Sequence, residues 1–268
     1  MFGRTQSRRA VFVAALLVVL AVRDGAAQSS GEARRVFAGA SALLVGVAYS
    51  GPLAPQAQTG QQQNNLTADE LKALQQKAEQ GDAEAQCTLG FLYRTGQGVP
   101  QDNAQAVAWT RKAAEQGHAR AQFNLGILYY NGYGIPRDPA QAVAWIRRAA
   151  EQGYAEAQFN LGGLYVDGEG VPKDNAQAAV WYRKAAEQGD AEAQFNLAVF
   201  YRLGQGVPLD LVEAFKWSAV AAGRLSSDQE KANAAFLEAT ARMLTAERLA
   251  EAQKRASEWT AAFEKRKK

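Results

Sequence analysis

Residues 118–153 read HARAQFNLGILYYNGYGIPRDPAQAVAWIRRAAEQG, and residues 154–189 read YAEAQFNLGGLYVDGEGVPKDNAQAAVWYRKAAEQG. The second stretch is the first displaced by 36 positions, and the displacement works twice more, at 82–117 and 190–225. Ala119, Gln122, Leu125, Tyr129, the Gly-x-Gly at 132 and 134, Pro136, Asp138 and Trp145 have counterparts in all four units. An Ala-Ala pair follows each Trp by four residues. Chance does not align so many positions four times. A period of this length means stacked supersecondary units, none of which buries its apolar face alone.

Each unit reads as helix–turn–helix. With Leu89 as the zero of angle at about 100° per residue, Ala85, Leu92 and Tyr93 fall within about 60° of it, one apolar stripe on a first helix. Gly96-x-Gly98-Val99-Pro100 ends that helix: glycine admits left-handed backbone and proline forbids continuation. Asp102 is placed to cap a second helix, where its carboxylate meets free N–H groups and the positive end of the dipole. Ala106, Trp109, Ala113 and Ala114 form that helix's inner stripe, and Gly117 supplies its C-cap. Small residues such as Gly90 allow close helix approach. The Trp row, at helical spacing beside Ala-Ala, reads as core rather than as a sugar-stacking row.

Outward from the repeats, 66–81 is expected to be an N-terminal capping helix, with Thr67 and Glu70 in capping-box spacing. Residues 226–268 are expected to be C-terminal capping helices with a basic tail. The first helix covers Ser227–Arg242. The second covers Ala246–Phe263 and carries Leu249, Ala252, Ala256, Trp259 and Phe263 on one stripe. End units with a polar outer face are what such a stack needs for solubility. Residues 51–65, rich in Gln, Pro, Gly and Asn, read as a flexible linker. Residues 1–27 read as a signal peptide: Arg4, Arg8 and Arg9 precede the apolar run Ala10–Val22, with a small-residue cleavage point after Ala27. Thirteen apolar residues are too few for a bilayer span, which needs roughly 20. A second candidate, 30–50, repeats the grammar from Arg34-Arg35 to Ala48-Tyr49-Ser50. The expected location is therefore exported, periplasmic or secreted, or else anchored through an uncleaved N-terminal segment, the one route to membrane association.

The pattern A-x-A-Q-x-x-L-G-x-x-Y-x-x-G-x-G-V-P-x-D, followed by A-x-x-W-x-x-K-A-A-E-Q-G, resembles the Sel-one-like repeat family within the tetratricopeptide-repeat superfamily. It covers 82–225. The fourth unit departs from the pattern: Ala198 stands where the others have Gly90, Gly126 and Gly162, and Glu115-Gln116-Gly117 becomes Gly223-Arg224-Leu225. The resemblance implies an all-α fold, a right-handed α/α superhelical solenoid of period 36, with a groove that takes a protein or peptide partner. It also implies an adaptor or scaffold in signalling or envelope processes. Cysteine-rich secreted members supply the alternative, an envelope enzyme of penicillin-binding, β-lactamase-like or peptidoglycan-active type. Those relatives carry paired Cys along the repeats.

Among the 268 residues there is one Cys and one His, which excludes an internal disulfide framework and disfavours a closed zinc site. The formal charge of +3 divides unevenly: residues 1–57 hold six Arg against Asp24 and Glu32, leaving −1 for the rest. A body of that charge has no cationic surface for tracking phosphates, so no nucleic-acid partner is expected. No nucleophile–base–acid set is visible, no cofactor or metal is expected, and a non-catalytic protein is the reading. His118 sits at a helix start held by Asp82, Tyr154 and Asp190 in the other units, and reads as exposed. Cys87 takes the position of Phe123, Phe159 and Phe195 and reads as a packed, inert residue.

The binding candidates lie on the first helix at about 200° to 260° from Leu89, opposite the core stripe. In the successive units they are Glu84, Thr88, Phe91 and Thr95; Arg120, Asn124, Ile127 and Asn131; Glu156, Asn160, Gly163 and Asp167; Glu192, Asn196, Val199 and Leu203. A polar strip with scattered apolar residues suits an extended peptide, and equally describes a solvated face. Asn124, Asn160 and Asn196 share one slot, fit to grip peptide backbone or to bond locally. Arg120 is the cation in a row of Glu, a place for a partner carboxylate or for an ion pair along the stack.

Overall fold

The computed structural model describes residues 66–267, and among these it holds eleven α-helices and no strand. They are α1 (Ala68–Glu79), α2 (Ala83–Thr95), α3 (Asn103–Glu115), α4 (Ala119–Asn131), α5 (Pro139–Glu151), α6 (Ala155–Asp167), α7 (Asn175–Glu187), α8 (Ala191–Leu203), α9 (Leu211–Ala221), α10 (Ser227–Ala241) and α11 (Ala246–Lys267). The two signal-peptide candidates and the linker lie outside the described residues. The chain divides into two compact units, one ending at Lys173 and one beginning at Asp174. In each unit every helix from α1 to α6 and from α7 to α10 packs on the next, the all-α helix–turn–helix solenoid architecture that the period implies. At the C-terminus α11 packs on α9.

The turn chemistry is the same in every repeat. Asp102 Oδ1 accepts from the backbone N–H of Ala104 and Gln105, and Asp138, Asp174 and Asp210 do the same for their helices. Gly96 ends α2 at φ 72°. Gly117 lies one place beyond the expected cap: Gln116 is the C-cap, while the N–H of Gly117 and His118 reach the carbonyls of Ala114 and Ala113, a Schellman closure. Gly134 has a second constraint, because a Cβ there would stand 2.2 Å from the carbonyl oxygen of Asn103, at the start of the preceding repeat's second helix.

The core is built on small residues. Ala106, Ala113, Ala121, Ala142 and Ala149 are fully buried in the first unit, and Ala178, Ala185, Ala193 and Ala214 in the second. The Trp row is less uniform than expected. Trp109 and Trp145 are half-buried with Lys112 and Arg148 lying over their rings, whereas Trp181 and Trp217 are buried. The innermost layer takes the residue after each Trp, namely Thr110, Ile146, Tyr182 and Ser218. A Cβ at Gly90 would fall 2.3 Å from Thr110 Oγ1, and one at Gly126 2.5 Å from Ile146 Cγ1, so these glycines make room for that layer.

Buried glutamines strut the repeats. Gln86, Gln122 and Gln158 donate from Nε2 to the carbonyls of Ala78, Ala114 and Ala150, and Gln194 does so to Ala186. Gln86 and Gln122 accept in turn from Gln116 and Gln152, at 2.7 and 2.6 Å. Arg224, the departure in the fourth unit, takes the same place and donates to Gln194 Oε1. These amides give each helix-end carbonyl a second donor, beside the N–H of the glycine that closes the helix.

The end segments continue the register. The Thr67–Glu70 capping box forms, and Ala78 accepts from Gln86 as Ala114 does from Gln122, so α1 stands in for a second helix. Ser226, the N-cap of α10, falls 36 residues after Asp190, so α10 stands in for a first helix. The expected stripe of α11 is present, with Ala252, Ala256 and Phe263 buried. The basic tail corrects the expected helix end at Phe263: Lys265, Arg266 and Lys267 form the last helical turn, where cations favour the dipole and two of them lie over Phe263.

Candidate functional site

Within a unit, α2 lies beside α4 and α8 beside α10, and residues about one period apart meet across each seam. Glu84 of α2 binds Arg120 and His118 of α4, the latter at 2.8 Å from Nε2. Asn124 Nδ2 approaches Cys87 Sγ at 3.8 Å. On the C-terminal side, Gln229 of α10 donates to Glu192 of α8 at 2.9 Å.

This seam corrects the picture of a solvent-facing strip. Ile127, Asn160 and Asn196 are buried. Glu84 and Phe91 are exposed; Thr88, Arg120, Asn124, Asn131, Glu156, Asp167 and Glu192 are in between. The amides divide. Asn131 and Asn160 donate to carbonyls of their own helices, Ile127 and Glu156. Asn196 Nδ2 is buried without a partner. Arg120 is paired with Glu84 rather than waiting for a carboxylate. Burial pushes Glu156 above the usual carboxylate range, opposed by the hydroxyl of Tyr154, which donates to it at 3.0 Å, and by Arg120. Burial also raises Asp167.

Three of the candidates come together. Phe91, Asn124 and Ile127 line a surface depression with Gly90, Arg94, Thr110 and Leu128, at the seam of α2 and α4. Arg94 is the residue the sequence reading missed. It lies about 140° from Leu89, outside the strip, and the same register holds Tyr130, Val166 and Arg202 in the other units. Its guanidinium rests over the Phe91 ring, 5.2 Å from the centroid.

The two reactive side chains are committed to structure. Cys87 is buried and its thiol pKa is pushed up by burial, the opposite of an activated nucleophile. His118 is half-buried rather than exposed. Its Nδ1 accepts from the N–H of Ala121 at 3.1 Å, capping α4 as Asp82 and Asp190 cap their helices, so Nε2 carries the proton that faces Glu84. No group of three His, Cys, Asp or Glu among the described residues is placed to hold a metal. No described helix is long and apolar enough to cross a membrane.

A family model described as Sel1 repeat matches residues 83–118, 119–154, 155–190 and 191–224. Among solved structures, a Sel1 repeat protein from Oxalobacter formigenes is 35% identical, with TM-score 0.60, covering 71% of this chain and 79% of that one. A protective antigen present in uropathogenic Escherichia coli strains, displaying an SLR fold, is 34% identical with TM-score 0.65, over 88% of this chain. The match spans 50% of that antigen's length. No curated protein matches the chain.

Proposed function

The chain belongs to the Sel1 repeat family, whose repeats form a scaffold typical of protein–protein interaction, and from that premise we propose that it is an exported, non-catalytic scaffold that captures a peptide segment on the seam of α2 and α4. The observation that carries the site is Phe91, a large apolar side chain 37% exposed beside a depression that Asn124 and Ile127 also line. An exposed aromatic next to a hollow with amide groups is the composition of an interface anchor. A scaffold needs no reacting group, and the enclosed Cys87 and the capping His118 suit that reading over the hydrolase. Binding of displayed peptides to the chain, compared with binding to Phe91→Glu, tests it. Loss of capture at unchanged melting temperature supports the site; equal capture by both refutes it. Export rests on the Arg-then-apolar grammar of 1–27 and 30–50. N-terminal sequencing of the mature protein tests that part, and an intact Met1 on cytosolic material contradicts it.

A further inference from the structure

We infer that Arg94 sets partner specificity at this depression, by selecting a peptide in which an Asp or Glu side chain neighbours an apolar one; the inference rests on the proposed capture site. The other arginines of this unit show what is unusual. Arg111 and Arg147 donate to the hydroxyls of Tyr129 and Tyr165, Arg120 pairs with Glu84, and Arg137 with Glu169. Arg148 is exposed over Trp145. Arg94 is half-buried, and no carboxylate is among the charges that act on it. Burial holds its pKa below the ordinary arginine value, opposed by Tyr133. Its surroundings therefore withhold the counter-charge that a half-buried guanidinium ordinarily has. The contact with Phe91 holds the guanidinium beside the depression, and a guanidinium's in-plane N–H edge grips a carboxylate with two parallel hydrogen bonds.

The neighbours fit the same ligand. Phe91 offers apolar surface to the adjoining side chain, and the amide oxygen of Asn124 suits a backbone N–H of an extended segment. Glu84, the acid of the same helix, is held by Arg120 and His118 and does not compete for Arg94. Arg120, the cation that the sequence marks out, is thus an internal partner, and the reading of an acidic group passes to Arg94.

The experiment pans short random peptides, displayed between fixed linkers so that no terminal carboxylate is present, against the full chain. The expected winners carry Asp or Glu beside Leu, Ile, Val or Phe. The strongest, as a labelled peptide with an amidated end, should lose about tenfold or more in affinity with Arg94→Glu, and as much when its acid is changed to Lys. Pairing the Lys peptide with Arg94→Glu should recover most of the loss. If Phe91→Glu abolishes capture while Arg94→Glu leaves it unchanged, the assignment to Arg94 is overturned and the site stands. If no peptide is enriched over the Phe91→Glu protein, the site falls and the assignment with it.

Discussion

Phe91 in the first repeat and Val199 in the fourth occupy the same register, yet Phe91 is 37% exposed and Val199 7%. Both helices are followed by another first helix, so the difference lies in what that helix presents. Against α8, α10 brings Phe236, edge-on to Phe195 and under the guanidinium of Arg202. Against α2, α4 brings Asn124 and Ile127, which leave a hollow at Gly90 and Phe91.

A buried charge separates the two faces most strongly. Val199→Glu buries a carboxylate with no partner and should cost about 3–5 kcal/mol, while Phe91→Glu should stay within about 1 kcal/mol. Urea unfolding of the two variants measures both, and equal losses would mean that the two faces are the same. A second contrast lies one residue apart on α5. Ile146 is fully buried against Gly126, so Ile146→Ala should cost about 2–5 kcal/mol. Trp145, half-buried beneath Arg148, should lose only about 1–2 kcal/mol on truncation to Ala. The reverse ranking in thermal unfolding would return the Trp row to the centre of the core.

The regular repeats and the C-terminal pair invite a smaller test. Glu230 falls 36 residues after Gln194, in the strut register, and its Oε2 is buried without a partner. An amide restores the donor the register uses elsewhere, so Glu230→Gln should stabilise by about 1 kcal/mol. A lower melting temperature would show that α10 is not a first helix in disguise.

The caps, the glycine turns and the period were legible because they are local: Asp102, Gly96 and Thr67 act within a few residues of themselves. The innermost layer was not. Thr110, Ile146, Tyr182 and Ser218 differ in chemistry, so alignment of the units does not mark their position, although it lies four residues after an Ala of the inner stripe. The glutamine struts were visible as polar residues repeated on an apolar stripe, a signal whose meaning is the buried carbonyl each one meets. At the candidate site, helical angle found the right face of α2 and α4 and brought forward Phe91, Asn124 and Ile127. It placed Ile127, Asn160 and Asn196 in solvent because the angle around one helix carries no information on what packs against it. Arg94 escaped because its importance lies in having no carboxylate beside it, which only three dimensions reveal.

The central claim is that the seam of α2 and α4 is where a partner is held. A photoreactive phenylalanine in place of Phe91, and in a second protein in place of Val180 on α7, which is 48% exposed, tests it by cross-linking to the strongest panned peptide. A cross-linked product is expected from position 91 and none from position 180. Equal yields, or a product from position 180 alone, would contradict it.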